Sequence, residues 1–181
     1  MMDTNNTEVS IFAGGCFWCT EAVFLELKGV SEVVPGYIGG AIENPTYEAI
    51  CTGNTGHAEA IKITYDNREM SFGELLEVFF ATHDPTTLNR QGNDIGTQYR
   101  SEVFYLNDFQ KEMTEGYIKL LNDENVFGNP VVTQVSPAPH FYPAENYHNN
   151  YYNQNKTQGY CSYVITPKID KLKKYFQEKL K

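Results

Sequence analysis

The chain has 181 residues, 41% apolar, 14% aromatic and 20% charged, enough for one domain with a core of its own. Its formal net charge of −9 excludes a general nucleic-acid binder, which needs a basic face. No apolar run approaches the ~20 residues of a membrane span, and four cysteines are too few for a disulfide scaffold at this length.

In chain order, residues 1–6 are polar and acidic, without the basic start and apolar core of a secretion signal, so a cytoplasmic protein is expected. An apolar segment, residues 9–13, predicts a first strand. Gly14-Gly15 then predicts a tight turn into a helix over 16–28, with Gly29 as its stop. Residues 30–38 read as strand. Residues 57–65 alternate, putting His57, Glu59, Ile61, Ile63 and Tyr65 on one face. Phe72, Leu75, Leu76, Phe79 and Phe80 fall at helical steps. Residues 84–97 form a polar loop, of a length that is usually functional or disordered. Strand character returns over 98–106. Phe109, Met113, Tyr117, Leu120 and Leu121 mark another helix, and residues 131–135 another strand. Residues 136–159, rich in Pro, Asn and Tyr, fit no regular element, and Thr166-Pro167 predicts the capped start of a final helix. The order β-α-β-β-α-β predicts an α+β fold over residues 1–181: a split-βαβ, ferredoxin-like two-layer sandwich with a mixed sheet and an irregular C-terminal extension.

Two residues carry the chemistry. Cys16 sits where a glycine turn meets a helix start, and free backbone N–H groups and the helix dipole there favour a thiolate. That environment lowers a cysteine pKa from about 8.5 and makes it a nucleophile. Glu59 shares the core-facing side of its strand, so burial should raise its pKa and leave it a proton donor near neutrality. Cys19 completes a C-x-x-C pair, readable as a redox dithiol, half a zinc site, or a nucleophile followed by an incidental small residue. Two other classes therefore stand beside a sulfur-based enzyme: a zinc domain using Cys16, Cys19, Cys51 and Cys161, and a thioredoxin-like dithiol oxidoreductase. Tyr47 and Cys51 are four apart on a possible short helix after Pro45; Cys51 is expected to be a packed small hydrophobe. His148 is expected to be a surface or hydrogen-bonded structural histidine.

The segments Gly14-Gly15-Cys16-Phe17-Trp18, Gly36-Tyr37-Ile38-Gly39-Gly40, Thr46-Tyr47-Glu48, Gly56-His57-Ala58-Glu59, Gly92-Asn93-Asp94-Ile95-Gly96-Thr97-Gln98-Tyr99-Arg100-Ser101 and Glu145-Asn146-Tyr147-His148 resemble, in order, those of the A-type peptide methionine sulfoxide reductases. The resemblance implies Cys16 as nucleophile, Phe17 and Trp18 as the pocket for the substrate methyl group, and Glu59 as acid. It implies that Tyr47 and Tyr99 hydrogen-bond the sulfoxide oxygen and that Asp94 organises the site. Gly159-Tyr160-Cys161 resembles the segment in which many members carry a resolving cysteine. Cys161 is favoured as the resolving thiol; Cys19, where many members have glycine, is a second candidate, and a relay through both stays open. The implied activity is reduction of the S epimer of methionine sulfoxide, free or in oxidised proteins. No bound cofactor or metal is implied, thioredoxin is the external reductant, and a monomer is expected.

Overall fold

The computed structural model describes residues 6–181; the polar start at residues 1–5 lies outside the described residues. Strand β1 (Thr7–Gly14) runs into helix α1 (Phe17–Leu25), and β2 (Val30–Ile38) returns. A short α2 (Tyr47–Cys51) precedes β3 (Ala58–Asp66) and α3 (Phe72–Ala81). A hairpin of β4 (Arg90–Gln91) and β5 (Asp94–Ile95) leads to β6 (Ser101–Tyr105). Then follow α4 (Asp108–Asp123), β7 (Gln134–Pro137), β8 (Tyr142–Pro143), α5 (Tyr151–Gln154) and α6 (Thr166–Tyr175). The main sheet has the order β7-β6-β1-β3-β2-β8. Every pairing in it is antiparallel except β6 with β7, so the sheet is mixed, as the sequence predicts. The fold is α+β.

Period-two alternation sorts the side chains of β3. Ile61, Ile63 and Tyr65 join the main core beneath α1 and α3, whereas Ala58 and Ala60 face the opposite side with Ile11, Ala13, Ile38 and Phe104. Ala138 and Phe141 of the C-terminal extension pack on that second face. At the centre of the main core Phe12 stacks on Phe79 at 4.8 Å and meets Phe24 at 5.7 Å and Phe72 at 6.0 Å. The strand-to-helix corner needs both glycines. A Cβ on Gly14 would lie 2.8 Å from Phe79, and one on Gly15, whose φ is +95°, 2.7 Å from Gln91. No helix among the described residues is long and apolar enough to cross a membrane.

Several local expectations are corrected. Helix α1 ends at Leu25 rather than residue 28, because the buried Leu27 leaves the helix to bridge Leu180 near the C-terminus. Residues 97–99 form a 3₁₀ turn, so the strand expected from 98 begins at Ser101. The strand expected at 131–135 is shifted to Gln134–Pro137, where it pairs in register with β6 from Glu102 onward. The loop at 84–97 is not structureless: it contains the β4–β5 hairpin, and the Gln91 side chain ties back to the Asp84 backbone in both directions. On α4, Phe109 and Leu120 are exposed while Gln110, Thr114 and Leu121 are buried. Thr166 does not cap a helix start, since a π-helical turn at Cys161–Ile165 runs straight into α6 and the Thr166 hydroxyl donates back to the Cys161 carbonyl at 3.2 Å.

Candidate active site

Cys16 occupies the N-cap position of α1 and its side chain makes no capping hydrogen bond. The helix's first orphan donor finds a partner elsewhere: the Phe17 N–H donates to Glu59 Oε1 of β3 at 3.1 Å. Glu59 is only 1% exposed, on the core-facing side of its strand as the alternation predicts. Burial pushes its pKa up to about 8; the Phe17 N–H pulls back, and the charges of Asp94 and Cys19 push further. Near neutrality Glu59 is therefore largely a carboxylic acid, one hydrogen bond from the residue next to the thiol.

The thiol itself departs from expectation. Cys16 is buried, and desolvation pushes its pKa well above the usual thiol range, with the Cys19 hydrogen bond and the Glu59 charge adding to it. The Trp18 N–H pulls downward as the helix-start argument requires, but it is outweighed. Cys19, one turn along α1, is held below the usual range, first by the hydrogen bond from Cys16 and then by the Lys168 charge and the Tyr160 hydroxyl. Each sulfur thus acts on the other, Cys16 being pushed up and Cys19 held down.

The aromatic residues of the first turn are fixed from the C-terminal extension. Trp18 Nε1 donates to His148 Nδ1 at 3.0 Å, and the indole stacks on Tyr151 at 3.8 Å with 6° between planes. Phe17 is wholly buried against Tyr37 and His148. His148 is a hydrogen-bonded structural histidine, buried rather than on the surface, and burial lowers its pKa. Since Nδ1 accepts from Trp18, the ring carries its proton on Nε2, 3.9 Å from Glu145 Oε1.

Tyr47 opens α2 and Tyr99 closes the 97–99 turn. Burial first, and then the Glu59 charge, raise both phenols far above their usual range, so both remain hydrogen-bond donors. Asp94 on β5 accepts the Tyr160 hydroxyl at 2.6 Å, and that hydroxyl lies 3.5 Å from Cys19 Sγ. Asp94, Tyr160, Cys16, Cys19 and Lys168 line one cavity of about 260 Å³. Cys161 is buried in the same core cluster as Cys16 and Cys19, and burial followed by the Cys19 charge raises its pKa. Cys51, expected to be packed, is exposed at the end of α2. Among the described residues no three His, Cys, Asp or Glu side chains are grouped to hold a metal ion.

Three supporting residues were not singled out from the sequence. Glu145 accepts the Tyr37 hydroxyl at 2.8 Å and the Tyr47 N–H at 2.9 Å, anchoring α2. Tyr160 connects Asp94 to Cys19. Glu21, 2% exposed, accepts the Asn150 and Tyr151 N–H groups at 2.7 and 3.3 Å, and burial lifts its pKa to about 7. A carboxylate inside a helix apolar on more than one side was a readable sign of a buried charge.

A family model described as peptide methionine sulfoxide reductase matches residues 8–180. The peptide methionine sulfoxide reductase MsrA of Deinococcus radiodurans is 55% identical over 174 residues, 96% of this chain and 84% of that protein. Among solved structures, Mxr1 from Saccharomyces cerevisiae in reduced form has a TM-score of 0.81 and 31% identity, covering 89% of this chain and 92% of that one. Mxr1 in complex with Trx2 matches in fold, with a TM-score of 0.58 and 23% identity over 83% of this chain and 88% of that one.

Proposed function

The chain belongs to the peptide methionine sulfoxide reductase family, and we propose that it reduces the S epimer of methionine sulfoxide, free or in oxidised proteins, through Cys16 and Glu59. It is an oxidoreductase, with residues 1–181 acting as one catalytic domain. The observation that carries the mechanism is the Glu59 carboxyl: buried, lifted to about 8, and bonded to the first turn of the helix that begins at Cys16.

The substrate methyl group lies against Phe17 and Trp18, and the sulfoxide oxygen accepts hydrogen bonds from Glu59, Tyr47 and Tyr99. Withdrawal of electrons at that oxygen makes the sulfur electrophilic. Cys16 attacks it through its sulfur, and the thiol proton is lost to solvent as the bond forms. Glu59 protonates the oxygen as charge builds there, general acid catalysis that typically supplies about 10²–10⁴-fold. The oxygen then passes to Cys16: an S–O bond forms on the Cys16 sulfur as the substrate S–O bond and the transient bond between the two sulfurs break, methionine leaves, and Cys16 becomes a sulfenic acid. Asp94 organises the polar side of the cavity.

A sulfenic acid condenses with a thiol to give a disulfide and water. Cys19 is favoured as the first partner because it stands at the start of the same helix and lines the same cavity as Cys16. Cys161 follows by exchange, since it is packed in the same cluster and its environment responds to Cys19. Electrons then come from an external dithiol, thioredoxin, a reading supported by the structure of Mxr1 in complex with Trx2. The test is a single turnover without reductant. Reduced enzyme mixed with an S-sulfoxide substrate should give one methionine per chain and lose two thiols, and the R epimer should give none. No methionine with all thiols intact would sink the reading.

A further inference from the structure

Cys19 is buried, yet as the resolving thiol it must ionise, because the thiolate and not the thiol is the nucleophile. In the reduced enzyme the largest influence holding it down is the neighbouring Cys16 thiol. That influence is gone when it is needed, since Cys16 has by then become a sulfenic acid. Lys168 remains, its Nζ fixed by donation to the Thr82 carbonyl at 2.9 Å, and the Tyr160 hydroxyl lies 3.5 Å from the Cys19 sulfur.

Resting on the reductase reading above, we propose that Asp94 and Tyr160 form a proton relay that readies Cys19 to resolve the Cys16 sulfenic acid. The geometry is a line of hydrogen bonds. The Tyr160 O–H is committed to Asp94 Oδ2 at 2.6 Å, which leaves the phenolic oxygen free to accept the Cys19 S–H from 3.5 Å. Burial, reinforced by the two thiols and by Asp94, holds the phenol far above its usual range. Tyr160 therefore does not store a negative charge; it passes a proton on. The ring is seated edge-on against Trp18 at 6.1 Å, which fixes the hydroxyl between the carboxylate and the sulfur.

The step balances within the cavity. The Cys19 proton moves to Tyr160 as the Tyr160 proton moves to Asp94. The Cys19 thiolate attacks the Cys16 sulfur, the S–S bond forms, and the S–O bond breaks. The departing hydroxide takes the proton from Asp94 and leaves as water. Cys19 sulfur is oxidised and Cys16 sulfur reduced by equal amounts, so no outside oxidant enters. The ionisable groups around Cys19 are Cys16 at the N-cap of α1, Glu59 on β3, Asp94 on β5, Tyr160 just before and Cys161 at the start of the π-helical turn, and Lys168 on α6. Lys168 is the cation among them and offsets the charge as it arrives. Tyr160 touches the reacting sulfur, and Asp94 is a positioning residue that acts through it.

The test is a rapid-quench single turnover of Tyr160→Phe, which keeps the ring packed on Trp18, and of Asp94→Asn. Methionine release and the Cys16–Cys19 disulfide are followed separately across pH. In the wild-type enzyme the disulfide should follow methionine closely. In Tyr160→Phe the sulfenic acid, trapped with dimedone, should outlive methionine release by roughly tenfold or more at neutral pH, with the delay shrinking as alkali ionises Cys19 directly. Asp94→Asn should show the same delay and the same pH recovery. An undelayed disulfide with an unchanged pH profile in Tyr160→Phe overturns the relay. So does peptide mapping of the wild-type product that finds Cys16 joined directly to Cys161 with Cys19 free, although methionine is still formed. Absence of methionine from the wild-type enzyme instead marks failure of the reductase reading itself.

Discussion

Helices α1 and α3 lie on the same face of the sheet, both touching Phe12, and they begin in opposite ways. Helix α3 opens with a complete capping box: Ser71 accepts the Glu74 N–H at 3.1 Å, and Glu74 accepts the Ser71 N–H at 3.1 Å. Helix α1 has Cys16 at the equivalent position, without a capping bond and with no acidic residue in its first turn. Its free donor is taken up by Glu59, 42 residues away on β3. One helix start is closed by its own sequence and serves stability. The other is closed across the sheet by the proposed acid, so its end is left open for a substrate. A cap that also titrates explains why Glu59 is both buried and hydrogen-bonded.

The largest way to break that contrast is Cys16→Ser. Methionine formation should disappear, since serine cannot take oxygen from a sulfoxide. Serine is also a good N-cap, so the variant should melt at or above the wild-type temperature, by up to about 1 kcal/mol of added stability. Calorimetry beside a methionine assay checks both halves. A variant that is inactive because it is unfolded would tell against the argument.

Glu59→Gln separates the two duties of the cross-sheet cap. Glutamine can still accept the Phe17 N–H but cannot give up a proton, so turnover should fall by roughly 10²–10³-fold with a much smaller change in binding. Wild-type activity should decline as pH rises through about 8 and the acid is lost. The stability effect has the opposite direction. The folded pKa lies above the unfolded value of about 4.3, so the contribution of Glu59 is full below that value and lost as pH rises through about 8. Glu59→Gln should therefore melt higher than wild type at pH 9, and the gap should narrow toward pH 5. Unchanged turnover would remove Glu59 from the role of acid.

Glu21 sharpens the comparison one turn further along α1. Its carboxylate accepts the Asn150 and Tyr151 N–H groups and so seats the tyrosine that stacks on Trp18. Its pKa of about 7 is also raised, so its contribution is likewise full below about 4.3 and lost through neutrality. Glu21→Gln should flatten the fall in melting temperature between about pH 4.3 and 7. It should also raise KM a few-fold by loosening the Tyr151 stack, whose worth is about 0.5–1.5 kcal/mol. A melting profile as steep as wild type would show that another group titrates there.

The same contrast explains what could be read from the chain. Local rules served α3 well: its five apolar positions fall at helical steps. They also served Glu59, because alternation over 57–65 is a property of the strand alone. Cys16 at a helix start was legible, but its raised pKa was not, since the local N–H effect is outweighed by burial, which other segments create. Tyr47, Tyr99 and Asp94 came from family resemblance, and no periodicity distinguishes them. The bonds from Trp18 to His148, Glu21 to residues 150–151 and Tyr160 to Asp94 span 66–130 positions and are set by how the extension wraps α1. The shifted starts of β6 and β7 have the same origin: a 3₁₀ turn and a parallel register, neither of which leaves a hydrophobic pattern.

Ser71→Ala is the smallest change and the cleanest control on the contrast. It removes the acceptor for the Glu74 N–H at an exposed helix start, while the Glu74 carboxylate can still accept the backbone N–H at position 71. The cost should be about 1 kcal/mol, and for a domain of this size that lowers the melting temperature by about 2–4 °C. Glu74 also holds Lys179 at 2.8 Å, so part of its orientation survives and the loss should not exceed that range. Turnover and its pH dependence should match wild type, because α3 contributes its cap to the fold and nothing to the reacting atoms. A pH profile displaced by Ser71→Ala would mean that the two helix starts are coupled through Phe12 and the sheet. The division between a cap for stability and a cap for chemistry would then fail.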